Sequence, residues 1–379
     1  INAQKLFMEL LRERAETGRI YIMNIDHCNT HSSFKDKVYM SNLCQEITLP
    51  TKPVQHIDDE EGEIALCILS AINLGLIKDK EELEELCDLS VRALDEIIDY
   101  QEYPVAAAKK STEARRSLGI GYIGLAHYLA KNKVKYNNKE AWKLVDEVTE
   151  AFQYFLLKAS NQLAKEKGKC DFFERTKYAD GILPIDTYKK DVDNLVKRKL
   201  SYDWTNLRKT IKEHGLRHST LSAQMPSESS SVVSNATNGI EPPRDYLSVK
   251  KSKKGTLKQI VPDYNRLKNF YTLLWDMPDN DGYINIVAVM QKYFDQAISG
   301  NWSYNPENYE GNEVPLSVMA KDLLNTYKLG WKTSYYQNTY DGKTDIDEPT
   351  HSVGWHDNIK EEPKEITSDD QEECEACAI

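Results

Sequence analysis

No apolar run in this chain of 379 residues approaches the roughly 20 residues needed to span a bilayer. The first residues, INAQKLFMELLRERAETG, set Leu6, Phe7, Leu10 and Leu11 on one helical face and do not read as a signal peptide. We therefore expect a soluble, cytoplasmic protein with no membrane partner. A surplus of positive charge is also missing, since the net charge is −11, and no nucleic-acid surface is expected. Seven cysteines, an odd number in a long chain, do not make the framework of a small secreted domain; they fit reduced thiols, a few of which are free for redox work. No linker rich in Gly, Pro or Ser and no internal repeat interrupts residues 1–344, which we read as one unit.

Residues 345–379 hold twelve Asp and Glu against two Lys, a net −10, so the rest of the chain is nearly neutral. With Pro349, Pro363 and little apolar content, this acidic stretch is expected to be a flexible tail. The chain opens on Ile1 instead of Met, which we read as a fragment, a processed piece or an unusual start codon.

Hydrophobic residues make up 40% of the sequence, enough for a sizeable core. Their spacing predicts helices over 2–17, 80–101, 139–167 and 284–298, and strands over 20–25, 38–49, 64–72 and 331–339. This alternation argues for an α/β architecture. The run 64–72 is apolar nearly throughout, as suits a strand covered on both faces.

Within SNLCQE (41–46), Asn42, Cys44 and Glu46 stand two apart and share one face if the segment is extended. That face is either the polar side of an edge strand or a cluster built around a sulfur. GIGYIG (119–124) has the form G-x-G-x-x-G, but the charged KKSTEARRSL before it is not the buried strand that a dinucleotide site requires, so close backbone packing is the better explanation. MPSESSSVVSNATNG (225–239) can begin a helix, whose hydroxyls and N–H groups either receive a phosphate or simply cap the backbone. Tyr335 and Tyr336 would send one ring to each face of a strand, for packing or for relaying an electron and a proton. Cys374 and Cys377 form a C-x-x-C pair near the C-terminus, suited to disulfide exchange with a buried thiol such as Cys67. His351 and His356 could complete a zinc site with that pair, but the acidic segment offers no mini-core, and no metal is expected.

The stretches MNIDHCNTH, SNLCQEITLPTKP, GEIALCILSAINLG, RRSLGIGYIG, GILPIDTYKKD, GLRHSTLSAQMPSESSS, SNATNGIEPPR and SYYQNT, with the terminal cysteine pair, closely resemble the large, catalytic subunit of class I ribonucleotide reductase. They run in family order over nearly the whole chain and correspond to roughly the C-terminal half of that subunit. The resemblance implies half of a ten-stranded α/β barrel with a central finger loop. It also implies reduction of ribonucleoside diphosphates to deoxyribonucleoside diphosphates by thiyl-radical chemistry, as part of a larger assembly.

By the same resemblance, Cys44 carries the thiyl radical, Glu46 is the general base, Asn42 orients the substrate, and Cys67 is one of two reducing thiols. Tyr335 and Tyr336 pass the radical inward. Pro226, Ser227, Glu228, Ser229 and Ser230 bind the substrate diphosphate, and Cys374 and Cys377 re-reduce the site. Cys28, Cys87 and Cys170 have no such match and are read as structural. No cofactor is expected to be bound directly: the radical comes from the tyrosyl radical and di-iron centre of a small subunit, and electrons come from thioredoxin or glutaredoxin. The partner of Cys67 and the allosteric regions belong to an N-terminal half, expected as a further partner. The competing expectation is a non-catalytic assembly or regulatory component that only binds the small subunit.

Overall fold

The structure, a computed structural model, describes residues 2–59, 61–252 and 255–342. The acidic stretch 345–379, with Cys374, Cys377, His351 and His356, lies outside the described residues. The helices are α1 (Ala3–Thr17), α2 (Ile25–Thr30), α3 (Lys80–Tyr100), α4 (Ala106–Arg115), α5 (Leu125–Lys131), α6 (Lys139–Lys167), α7 (Pro184–Thr187), α8 (Trp204–His214), α9 (Glu228–Val233), α10 (Tyr264–Leu267), α11 (Asp281–Gln291) and α12 (Leu316–Lys328). The strands are β1 (Ile22–Met23), β2 (Ile68–Asn73), β3 (Leu118–Ile123), β4 (Leu247–Ser252), β5 (Gly255–Ile260), β6 (Trp302–Tyr304), β7 (Thr333–Ser334) and β8 (Gln337–Thr339).

Capping explains the sharp ends of the first long helices. Asn2 accepts a hydrogen bond from the Lys5 N–H at 3.0 Å and opens α1, while Asp79 accepts from Glu82 N–H at 2.8 Å and opens α3. Helix α1 stops at Gly18, whose φ of 70° suits a residue without Cβ. A Cβ there would also stand 2.8 Å from the Gln337 carbonyl oxygen, so glycine is required twice. The resulting turn delivers residues 19–21 to the start of β8, where Gln337 N–H donates to the Gly18 carbonyl at 3.0 Å.

Strands β2 and β3 pair in parallel, Ile68 opposite Leu118 through Asn73 opposite Ile123. The ladder continues beyond β3: the Leu118 and Ile120 N–H groups donate to the carbonyls of Thr220 and Leu221 at 3.1 and 2.8 Å, and parallel bridges join Ile120 to Ser222 and Gln224 to Ile298. The segments 68–73, 118–123, 220–224 and 296–299 thus run side by side as an open parallel layer. Among the described residues it closes no barrel. Below it, Tyr122 meets the rings of Phe152 and Phe294 edge-on at 5.4 and 5.8 Å, joining β3, α6 and the chain after α11 in one core.

Several expectations need correction. Residues 38–49 are not a strand: the Gln45 N–H donates to the Asn42 carbonyl at 3.1 Å, and Gln45 takes a φ of 68°, which breaks the two-residue alternation. The helix expected over 284–298 begins at Asp281 and ends at Gln291. Beyond it, the carbonyls of Phe294, Asp295 and Gln296 accept from the buried Lys332 side-chain nitrogen, and Gln296 N–H donates to Ser222 O, so this backbone is committed to neighbours rather than to a helix. Strand β2 starts at Ile68, later than expected, and is not covered on both faces: Ile72 is 5% exposed but Leu69 is 42% exposed. Tyr335 and Tyr336 lie between β7 and β8 rather than within one strand.

Candidate active site

The turn at 42–47 assembles its polar groups by folding back on itself. Asn42 Oδ1 accepts from the Ile47 N–H at 3.0 Å, and Asn42 N–H donates to the Ile47 carbonyl at 3.3 Å, so the amide clamps both ends of the loop. The Asn42 side chain also acts on the Glu46 carboxylate, holding its pKa down against the effect of burial. The structure therefore brings Asn42, Cys44 and Glu46 together by a tight turn instead of by strand alternation.

That loop is fixed against the layer by residues 296–299. Ala297 N–H donates to the Glu46 carbonyl at 3.0 Å, and Thr48 N–H donates to Gln296 Oε1 at 3.2 Å. The Ser299 hydroxyl lies 3.2 Å from Glu46 Oε2 and also reaches the Cys44 carbonyl oxygen. Glu46 is only 2% exposed. Burial raises its pKa, and hydrogen bonds from Asn42 and Ser299 offset part of that rise. A carboxylate tuned upward in this way accepts a proton more readily near neutral pH.

Tyr335 donates its phenolic hydrogen to Cys44 Sγ at 3.4 Å. The Tyr335 and Tyr336 rings lie 4.1 Å apart between centroids, inclined at 50°. Interrupting the strand between β7 and β8 is what allows two adjacent rings to meet on one side. Their backbones are pinned, since Tyr335 N–H donates to the Gly300 carbonyl and Trp302 N–H to the Tyr336 carbonyl, both at 2.8 Å. Tyr21 completes a cluster, its ring 4.7 Å from Tyr335 and 5.3 Å from Tyr336. Burial drives the Tyr335 phenol far above its ordinary range, and the Cys44 and Tyr336 contacts add to this. Burial also raises the Cys44 thiol, with the Glu46 charge adding and the Tyr335 hydrogen bond opposing. Sulfur and phenol both keep their hydrogens near neutral pH.

Cys67 sits just before β2, beside Gly119 of β3, where a Cβ would come 2.9 Å from its sulfur. Close packing is therefore the role of this glycine in GIGYIG, as expected. Gln296 Nε2 donates to Cys67 Sγ at 3.6 Å. Cys67 keeps part of its surface open, yet desolvation of its thiol pushes its pKa up to about 12, and the Glu46 charge contributes. One carboxylate thus raises both Cys44 and Cys67. Cys28, Cys87 and Cys170 are all buried.

In the serine-rich run, α9 begins at Glu228. The Ser227 hydroxyl donates to the Met225 carbonyl at 3.1 Å and Ser230 to the Ser227 carbonyl at 3.2 Å, while the Ser231 hydroxyl accepts from Gly239 N–H at 3.3 Å. Pro226, Glu228, Ser229 and Ser230 are exposed, and Ser227 is buried. Ser227, Ser230 and Ser231 thus serve the backbone, and Glu228 and Ser229 are exposed.

Sequence reasoning missed Tyr21, Ser299 and Gln296. Tyr21 lies in IYIMNI, where a tyrosine carries no signal beyond strand propensity, and the two polar residues lie in a stretch whose apolar spacing imitates a helix.

Residues 1–269 and 262–337 match the family model described as the ribonucleotide reductase barrel domain. The chain is 60% identical over 351 residues to ribonucleoside-diphosphate reductase subunit alpha of Haemophilus influenzae, covering 92% of this chain and 46% of that protein. It is 57% identical over 348 residues to ribonucleoside-diphosphate reductase 1 subunit alpha of Escherichia coli K12, covering 91% and 46%. With ribonucleoside-diphosphate reductase subunit alpha of enterobacteria phage T4 it shares 43% identity over 349 residues, covering 90% and 46%. The chain spans about half the length of the curated relatives it matches.

Proposed function

The chain belongs to the ribonucleotide reductase family, and on that premise we propose that it acts as the C-terminal half of a catalytic subunit reducing ribonucleoside diphosphates to deoxyribonucleoside diphosphates. The observation that carries this reading is the hydrogen bond from Tyr335 to the Cys44 sulfur, with the Tyr336 ring inclined at 50° against Tyr335 and Glu46 beside the sulfur's loop. In this reading residues 1–344 form half of a ten-stranded barrel with 42–47 as its finger loop. An N-terminal half closes the barrel, and a small subunit with a tyrosyl radical and di-iron centre delivers the radical to Tyr336.

The chemistry then follows from the positions of the hydrogens. An oxidised Tyr335 takes the hydrogen atom of the Cys44 S–H along their hydrogen bond and leaves the sulfur as a thiyl radical. This radical removes the 3′ hydrogen of the ribose while Glu46, desolvated and receptive to a proton, takes the proton of the 3′ hydroxyl. Asn42 orients the substrate, and residues 226–230 receive its diphosphate. Loss of the 2′ hydroxyl as water requires two electrons, which Cys67 and a thiol of the N-terminal half supply by forming a disulfide. Cys374 and Cys377 return those electrons from thioredoxin or glutaredoxin. The intact cluster speaks against a purely assembling role.

In the completed enzyme, Cys44→Ser, Tyr335→Phe and Tyr336→Phe should each abolish turnover without weakening subunit association. A serine holds its hydrogen too tightly to carry the radical, and phenylalanine has no O–H. Near-normal turnover in any of the three would remove that residue from the path.

A further inference from the structure

Segment 294–299, which follows α11, is held on every side. Lys332 Nζ donates to the carbonyls of Phe294, Asp295 and Gln296 at 3.4, 2.8 and 2.8 Å, and Gln291 Nε2 donates to the Gln296 carbonyl at 2.9 Å. The Asp295 carboxylate accepts from the Leu221 and Ser222 N–H groups and from the Tyr178 hydroxyl. From this fixed backbone, the fully buried Gln296 side chain reaches three separate parts of the site. Its Oε1 accepts from Thr48 N–H at 3.2 Å, two residues beyond Glu46. Its Nε2 donates to the Leu118 carbonyl at 2.9 Å and to Cys67 Sγ at 3.6 Å. An N–H on one side and a carbonyl on the other fix which way the amide faces, so a donor must point at the sulfur.

We propose that Gln296 is a positioning residue that ties the Cys67 thiol to the loop carrying Cys44 and Glu46 and donates a hydrogen bond to the thiolate that Cys67 becomes during its redox cycle. This rests on the reductase reading above. When a disulfide at Cys67 is reduced by a dithiol, two displacements occur. In each, an incoming thiolate forms a new S–S bond and the departing sulfur leaves with the electron pair; the dithiol ends oxidised and the active-site pair reduced. Each of the two active-site sulfurs leaves once as a thiolate, so Cys67 is an anion in one of the two steps. The other charges near it, Glu46 and Asp295, are both negative and oppose that anion. The Gln296 N–H donates to this sulfur and acts against them.

The test is the rate at which iodoacetamide alkylates Cys67 in the full chain, read by mass spectrometry of its peptide over roughly pH 8 to 10, in the unaltered protein, Gln296→Met and Gln296→Glu. Both variants should react about tenfold more slowly at Cys67 across this range, equivalent to a thiol raised by about one pKa unit. The buried Cys87 should stay unreactive until denaturant is added, which certifies the fold. If one variant loses Cys87 protection, the reading is taken from the other, and Gln296→Asn, which keeps the amide but shortens its reach, carries the same expectation. A Cys67 profile within twofold of the unaltered protein in a folded variant overturns the proposal. Normal turnover of a Cys67→Ser completed enzyme would instead overturn the reductase role of Cys67 and leave the Gln296 measurement standing.

Discussion

Glu46 shows how one buried carboxylate sets the behaviour of its neighbours. Burial raises its pKa, so its ionised, proton-accepting form is lost at a higher pH than for a free carboxylate. The acid limb of kcat in the completed enzyme should therefore lie above the ordinary glutamate value of about 4.3. Ser299→Ala removes a hydrogen bond that favours the charged form and should move that limb to still higher pH, while Glu46→Gln should abolish it along with most of the activity. A limb unmoved by Ser299→Ala, measured as kcat against pH, would separate Ser299 from the base. Tyr21→Phe keeps the ring against Tyr335 and Tyr336 and removes its hydroxyl, so turnover should fall but persist, since the path from Tyr336 through Tyr335 to Cys44 survives. At this scale the spacing of Asn42, Cys44 and Glu46 was legible in the sequence, whereas the left-handed Gln45 that turns the loop was not, because glutamine gives no sign of positive φ.

At the scale of elements, the long amphipathic helices α1, α3 and α6 could be read to within a residue or two, because each carries a 3.6-residue apolar stripe, which side-chain caps reinforce in α1 and α3. The chain after α11 could not: Phe294, Ala297 and Ile298 keep a helical spacing, and contacts distant in sequence, Lys332 and the 220–224 segment among them, pull them straight. Lys332→Met would take the amine donor away from three buried carbonyls. The Asp295 carbonyl loses its 2.8 Å donor, and leaving a buried polar group unsatisfied commonly costs about 1–3 kcal/mol, so thermal unfolding should show a lowered Tm. Gly18→Ala tests the other end of the site. A side chain at φ 70° against the Gln337 carbonyl should destabilise by about 1–2 kcal/mol and disturb the packing of Tyr21 on the tyrosine pair, with denaturant midpoint as the readout.

For the whole molecule, the half-exposed β2 and the unclosed parallel layer fit a chain that spans about half the length of its relatives. The apolar run 64–72 announced a covered strand, but the cover is not among the described residues, which is why a sequence-based expectation of burial on both faces failed here. The cysteine pair at the end of the chain gives a separate prediction: replacing Cys374 and Cys377 by Ser should stop thioredoxin-driven cycling, leave the first turnover of prereduced enzyme intact, and be bypassed by a small dithiol. Thioredoxin-driven cycling at the normal rate in that variant would end the shuttle role. The central claim, that this chain supplies the radical-bearing half of a split active site, is tested most directly by deoxyribonucleoside diphosphate formation in a reconstitution. The chain alone should form none; with the N-terminal half and the radical-bearing small subunit it should turn over, and Cys44→Ser in the same mixture should not. Robust product formation by the chain alone, or by the Cys44→Ser mixture, would contradict the account.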